Sequence, residues 1–193
     1  MVHRRRALVP AALLVALLVL PAGCGEDKPE GVPPRSWARQ VCGGLSGWQG
    51  GLTEASNRLR EARTGDLETA RATLVSFLDD ITSRTDRLLQ VVTDAGKPAV
   101  DEGDAMSRDF RQAVRDVASG FAQSRERTRA LPTGDAVAFQ AGLARIVTDL
   151  RNAQQQLKDR LDQVQEDYDS PELVKALETE PACAGVYHPS TVR

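Results

Sequence analysis

The sequence predicts an all-α protein: an antiparallel four-helix bundle with up-down-up-down topology and a short fifth helix, stapled by one disulfide. Four long segments repeat apolar residues at steps of three and four, which is the period of an amphipathic helix. Short turns containing glycine or proline separate these segments, and short connections make consecutive helices antiparallel. Cys42 lies near the start of the first segment and Cys183 follows the last helix, so a bridge between them would close the bundle at one end.

The first two segments each carry one apolar stripe, and polar residues fill the other positions. The first stripe consists of Trp37, Val41, Leu45, Trp48, Leu52, Ala55 and Leu59. The second consists of Leu67, Ala70, Leu74, Phe77, Ile81, Leu88 and Val92, with Thr85 in one expected apolar position. Thr64-Gly65-Asp66 separates them, since glycine suits a helix C-terminus and aspartate suits an N-cap. Each helix must therefore bury its stripe against another helix.

The third and fourth segments repeat this organisation. The third stripe consists of Val100, Gly103, Met106, Phe110, Val114, Val117, Phe121 and Leu131. The fourth consists of Phe139, Leu143, Ile146, Leu150, Ala153, Leu157, Leu161, Val164 and Tyr168. Pro98 suits the start of the third helix, and Leu131-Pro132-Thr133-Gly134-Asp135 separates the third helix from the fourth. Ser170-Pro171-Glu172 then opens a short fifth helix that we expect to extend through about Glu178.

The N-terminus has the pattern of an export signal. His3-Arg4-Arg5-Arg6 is positively charged, and the run from Ala7 to Leu20 is apolar except for Pro10. Pro21-Ala22-Gly23 then supplies small or turn-forming residues before Cys24. Because the apolar run is shorter than the roughly twenty residues of a transmembrane helix, we assign residues 1–23 to a signal peptide.

The end of this leader resembles the lipobox of bacterial lipoproteins. Cys24 directly follows Ala22-Gly23, although Pro21 stands where that motif usually has an aliphatic residue. The resemblance implies that the leader is cut before Cys24 and that Cys24 receives a diacylglycerol, which would anchor the protein to the extracellular face of the cell membrane. The alternative is an ordinary secretion signal in which Cys24 stays free or pairs elsewhere.

The rest of the chain divides into a tether, a helical domain and a tail. Residues 24–35 are polar and contain three prolines, which favours a flexible tether; residues 36–183 form the bundle, and residues 184–193 form a C-terminal tail. If Cys24 is acylated, Cys42 and Cys183 remain as one pair in an oxidising compartment, so we predict a disulfide between them. The alternative is two buried, reduced cysteines.

The composition argues against most kinds of catalysis. The full chain has a net charge of −2 and two histidines, His3 in the leader and His188 in the tail. This removes Ser-His-Asp and Cys-His nucleophiles and histidine zinc motifs. A mildly acidic chain also argues against nucleic acid, which needs a clustered positive face. We therefore predict a non-catalytic protein without catalytic residues, metal or cofactor.

Two groups of residues could form a binding surface. They are Trp37, Gly47, Trp48 and Gly50 in the first helix, and Arg108, Arg111 and Arg115 on one face of the third. Glycines allow close approach of another backbone or a ligand, and arginines could meet anionic head groups or an acidic partner. The alternatives are a frayed helix, tryptophans that fill the core, and a solvated arginine face, because acidic residues interleave with the arginines.

Taken together, the lipobox-like leader, the tether, Cys42 followed by Trp48, four amphipathic helices and a closing Cys183 resemble small helical lipoproteins and secreted proteins of actinobacteria. This loosely defined group implies a location and a fold rather than an activity. We expect an interaction module that binds an envelope protein or membrane partner through its helix faces. The alternative is a carrier or sensor that holds a small apolar ligand in an incompletely filled core near Thr85, Met106 and the glycine face of the first helix. The sequence leaves the oligomeric state open.

Overall fold

The computed structural model describes residues 29–61, 65–168 and 170–187. The predicted signal peptide, Cys24 and most of the predicted C-terminal tail lie outside this part of the chain. The helices are α1 (Pro34–Glu61), α2 (Leu67–Asp94), α3 (Gly103–Arg129), α4 (Ala136–Asp167) and α5 (Pro171–Thr179), followed by a 3-10 turn at Pro181–Cys183. The predicted all-α class and the short fifth helix are confirmed.

Consecutive long helices pack against each other: α1 on α2, α2 on α3 and α3 on α4. The backbones of α1 and α4 stay further apart, although side chains from both helices reach the same interior. The arrangement is thus the predicted four-helix bundle, in which the α1–α4 side is the least closely packed.

Side chains at the predicted turns start three of the helices. The carboxylate of Asp66 accepts a hydrogen bond from the Thr69 amide at 2.7 Å, and Asp135 accepts from the Val137 and Ala138 amides. Ser170 Oγ accepts from the Leu173 amide at 3.4 Å. Each cap satisfies a backbone donor that the first helical turn leaves free.

The start of α3 differs from the prediction. The helix begins at Gly103 rather than at Pro98, because residues 97–99 pair with Val32. The Val32 amide donates to the Lys97 carbonyl and the Ala99 amide donates to the Val32 carbonyl, both at 2.8 Å. Gly103, the first residue of α3, packs against this segment, because a Cβ atom at this position would collide with the Pro98 carbonyl oxygen.

This pairing also bears on the N-terminal segment. Val32 lies within residues 24–35, which we predicted to be a tether, and α1 begins at Pro34, inside that range. The segment from Val32 onward is therefore held against the turn between α2 and α3 at the end of the bundle where α1 begins. We call this the disulfide end.

The predicted disulfide between Cys42 and Cys183 is confirmed, with their Cα atoms 4.8 Å apart. It joins α1 to the 3-10 turn, and Ala38 and Ala176 pack around it. Glu180, which is 5% exposed, accepts hydrogen bonds from Arg35 and Arg39, each at 3.4 Å. A covalent bond and a buried carboxylate thus hold the chain after α5 against the first turns of α1.

The core runs the length of the bundle in successive clusters. Trp37, Val92 and Phe110 belong to the cluster nearest the disulfide end, Ile81 and Phe121 to the middle. The far end is filled by Leu131, Phe139 and Ile146. The stripes read from the sequence therefore identify the faces that meet in the interior.

Candidate functional site

Both tryptophans that we considered as binding residues belong to the packed interior. Trp37 is 4% exposed; its indole Nε1 donates to the Gly96 carbonyl at 3.1 Å, and its ring meets Phe110 edge-on. Trp48 is half-buried and donates from Nε1 to the Thr85 hydroxyl at 3.0 Å. Trp37 therefore contributes no surface, and Trp48 is held by a buried threonine.

The glycines of α1 divide into two kinds. A Cβ atom at Gly44 would lie 2.8 Å from the Val91 side chain, and one at Gly51 would collide with the Arg84 guanidinium, so both allow α2 to approach. A Cβ atom at Gly47 or Gly50 would meet nothing within 4 Å. Close helix packing therefore explains Gly44 and Gly51 but not the two glycines that we singled out.

A shallow cleft of about 150 Å³ lies between α1 and α2 beside Gly47. It is lined by Gly44, Gly47, Trp48, Arg84, Arg87, Leu88 and Val91. The Arg84 guanidinium is bound to Asp80 at 3.0 Å and Glu54 at 3.5 Å. This cleft is large enough for a side chain but well below the roughly 300–1,000 Å³ typical of ligand pockets.

The three arginines of α3 do not join the α1 residues in one surface. Arg108 pairs with Asp104, and the half-buried Arg111 donates to the Ser107 hydroxyl at 2.8 Å. Arg115 is exposed and donates to the Arg111 carbonyl at 3.4 Å. Because α2 packs against both α1 and α3, it separates these arginines from the glycines of α1.

The apolar face of α4 is less completely buried beyond Ile146 than before it. Phe139 and Ile146, in the first half of α4, are each 4% exposed. Beyond Ile146, none of the α4 side chains that the structure describes is fully buried. The half-buried apolar residues of this part are Leu150, Ala153, Leu157, Leu161 and Val164. Val147, beside them, is 36% exposed, and among the large apolar side chains of the described residues only Val137 is more exposed.

The facing side of α1 is similarly open. Leu45, Trp48 and Leu52 are half-buried, and Leu45 and Trp48 line a narrow internal gap together with Leu157 and Leu161 of α4. We call this side of the bundle the α1–α4 seam. It is defined by Leu45 and Leu52 of α1 and by Val147, Leu150, Leu157 and Leu161 of α4.

The seam is closed at the disulfide end and open further along. Leu173 of α5 is buried in the same cluster as Trp37 and Val41 of α1, and Leu161 and Val164 of α4 pack against that cluster. The short fifth helix therefore fills the space between α1 and the end of α4. Further along, no helix of the described residues takes this place.

No protein-family model, no curated protein and no solved structure matches this chain.

The described residues show no group of three or more histidine, cysteine, aspartate or glutamate side chains arranged to hold a metal ion. Within the same residues, no helix is both long enough and apolar enough to cross a membrane.

The side chains whose pKa values are shifted make structural contacts. A hydrogen bond to Asp109 raises the pKa of Tyr168 to about 12, and the Lys158 ammonium beside Asp162 has a raised pKa for the same kind of reason.

One exposed arginine, Arg151, lies beside the seam on α4. Val147, Arg151, Gln154, Lys158 and Leu161 follow one another at steps of three and four and form one row along α4. Arg151 is exposed, whereas Lys158 is paired with Asp162. The opposite side of α4 faces α3, where Asp149 pairs with Arg127. This row therefore borders the seam and presents an exposed guanidinium to solvent.

Sequence reasoning did not find the seam, because periodicity identifies an apolar face but not how completely that face is covered. One signal was present. Val147 is an aliphatic residue next to the stripe of Leu143, Ile146 and Leu150, so it widens the apolar face on one side.

Proposed function

We propose that this protein is a lipid-anchored, non-catalytic interaction module on the extracellular face of the cell membrane, and that the α1–α4 seam is its partner surface. The observation that carries the proposal is the incomplete burial of apolar side chains along α4 and α1, with Val147 36% exposed. Contiguous apolar surface on a folded domain commonly marks an interaction site.

The membrane anchor rests on the leader and on Cys24. Val32 pairs with the turn between α2 and α3 at the disulfide end. The chain from Cys24 to Val32 can span at most roughly 30 Å when fully extended, so the disulfide end would face the membrane. The open part of the seam lies beyond α5, toward the opposite end of the bundle. An envelope protein would therefore have access to the seam from the side that points away from the membrane.

The interior gives the carrier alternative little support. The apolar gap between the four helices has a volume of about 20 Å³. This is roughly the space of one water molecule and far below a typical ligand pocket. A small apolar ligand would require the helices to move apart, whereas a partner on the seam requires no rearrangement of the core.

Two measurements test the proposal. The first compares membrane fractionation and labelling with a palmitate analogue for the wild-type chain and for Cys24→Ala. We expect Cys24→Ala to lose both the label and the membrane association; a variant that stays membrane-bound would overturn the lipid anchor. The alternative of an ordinary secretion signal predicts no label on either chain.

The second measurement is native mass spectrometry of the wild-type protein extracted from its own membranes in mild detergent. A co-purifying protein is expected for an interaction module. A retained small molecule in addition to the acyl chains would instead favour the carrier and contradict the proposal.

A further inference from the structure

We infer that the partner of the α1–α4 seam is an amphipathic helix whose apolar face is flanked by acidic residues. This inference rests on the proposed function, because it assumes that the seam is the partner surface, and it adds the shape and charge of the partner.

The shape of the seam suits a helix. Two antiparallel helices border it, and its apolar side chains recur at helical spacing on both sides, as in grooves that receive the apolar face of a partner helix. From Val147 to Leu157, which lies before the part that α5 closes, the open seam extends about 15 Å along α4, at roughly 1.5 Å per residue. A partner helix of about ten residues would cover this length.

The charge beside the seam selects the partner. On α4, Arg151 lies one turn from Val147, and no carboxylate of the described residues lies within ion-pairing distance of its guanidinium. On α1, Leu52, Ser56 and Arg60 follow at steps of four, and Arg60 donates to the amide oxygen of Asn57 rather than to a carboxylate. Both sides of the groove therefore offer a guanidinium, in a chain whose net charge is −2. Acidic residues beside the apolar face of a partner would complement them.

The same charges argue against a second copy of this chain as the occupant. In a twofold contact each seam would meet an identical seam, so Arg151 and Arg60 would be brought toward the same guanidinium groups of the other copy. Like charges brought together across an interface oppose association. An acidic helix from a different protein avoids this repulsion.

The test is site-specific photo-cross-linking in the full-length protein, in the membranes of the cells that make it. In one variant p-benzoylphenylalanine replaces Val147, and in a matched control it replaces Val137, which is also on α4 but 78% exposed and outside the seam. Mass spectrometry of the cross-linked peptides then identifies the partner segment. We expect a cross-link from position 147 only, to an amphipathic helical segment with Asp or Glu beside its apolar face.

A second pair of variants tests the charge. Arg151→Glu, in the background that cross-links at position 147, should reduce the yield about tenfold, because it places an acid against the acidic flank. Arg145→Glu, which changes another exposed arginine of α4 away from the seam, should leave the yield unchanged. Both positions are on the surface, so neither change should prevent folding.

The outcomes separate the inference from the proposed function. A cross-link from position 147 to a protein segment without acidic residues, or to a second copy, would overturn the inference and keep the interaction module. A cross-link from position 137 alone would also overturn it, since the partner would then bind elsewhere. Cross-links to lipid alone, or to nothing at either position, would overturn both.

Discussion

The indole of Trp37 in α1 donates a hydrogen bond to the Gly96 carbonyl, in the turn between α2 and α3. The same carbonyl oxygen accepts a second hydrogen bond from the Ser107 hydroxyl of α3 at 2.7 Å. One backbone oxygen therefore joins α1 and α3 to the turn that follows α2 at the disulfide end, where Val32 also pairs with the adjacent residues of that turn.

Trp37→Phe removes the N–H donor while keeping an aromatic ring. We expect the free energy of unfolding to fall by about 1–2 kcal/mol, the range for a part-buried hydrogen bond together with some lost packing. Trp37→Phe combined with Ser107→Ala should lower it by more than the sum of the single changes, because only the double variant leaves the Gly96 oxygen without either donor. Urea unfolding of the four chains measures this, and strict additivity would contradict it.

The glycines of α1 provide a matched set of substitutions. Gly47→Ala and Gly50→Ala should each raise the free energy of unfolding by about 0.5–1 kcal/mol, because the added methyl group meets nothing and alanine is the better helix former. Gly44→Ala should lower it, because the methyl group would displace Val91 and Leu88. Thermal and urea unfolding give the comparison. Destabilisation by Gly50→Ala would contradict this expectation.

The Tyr168 hydroxyl donates to the Asp109 carboxylate at 2.6 Å, and this hydrogen bond raises the pKa of Tyr168 to about 12 from 10.0. Because the pKa is higher in the folded protein, the contribution to stability is complete below about pH 10 and is lost as the pH rises toward 12. Tyr168→Phe should remove this part of the alkaline dependence. The measurement is the free energy of unfolding between about pH 9 and pH 12 for both chains, and parallel curves would contradict the expectation.

Glu180 should make a pH-dependent contribution at the acidic end. Burial raises the pKa of its carboxyl group, but hydrogen bonds and charge from Arg39, the Ala182 amide and Arg35 outweigh burial and leave the pKa below 4.5. This contribution to stability is present above pH 4.5 and is lost as the pH falls through the lower pKa of the folded state.

Glu180→Gln should therefore destabilise the protein at neutral pH and make little difference in strong acid. Glu178→Gln, an exposed neighbour in α5, is the matched control and should change little at either pH. Urea unfolding at neutral and at acidic pH separates the two variants. An equal loss for Glu180→Gln at both values would mean that its charge plays no part.

Local sequence patterns predicted most of the fold. Asp66, Asp135 and Ser170 act as N-caps because capping depends on residues within one helical turn. The disulfide followed from the number of cysteines and from the up-down topology. The start of α3 could not be predicted in this way, because it depends on pairing between Val32 and residues 97–99, which are far apart in the sequence.

The candidate site was harder to predict than the fold. Trp37 and Trp48 occupy stripe positions, which are compatible with either a core role or a binding role. Only the hydrogen bonds to Gly96 and Thr85 assign them to the interior. The openness of the seam depends on the separation of α1 and α4, the first and last of the four long helices. Neither helix carries information about that distance in its own sequence, so Val147 alone hinted at an uncovered face.

The bond between Cys42 and Cys183 spans a sequence separation of 141 residues and encloses nearly all of the helical domain. A protease that cut any single turn of the bundle would therefore release no fragment, because the disulfide would still join the two pieces. Cleavage of one loop would leave both pieces of the domain attached to whatever holds its N-terminus. Only reduction of the bridge, or a second cut, would let a piece diffuse away.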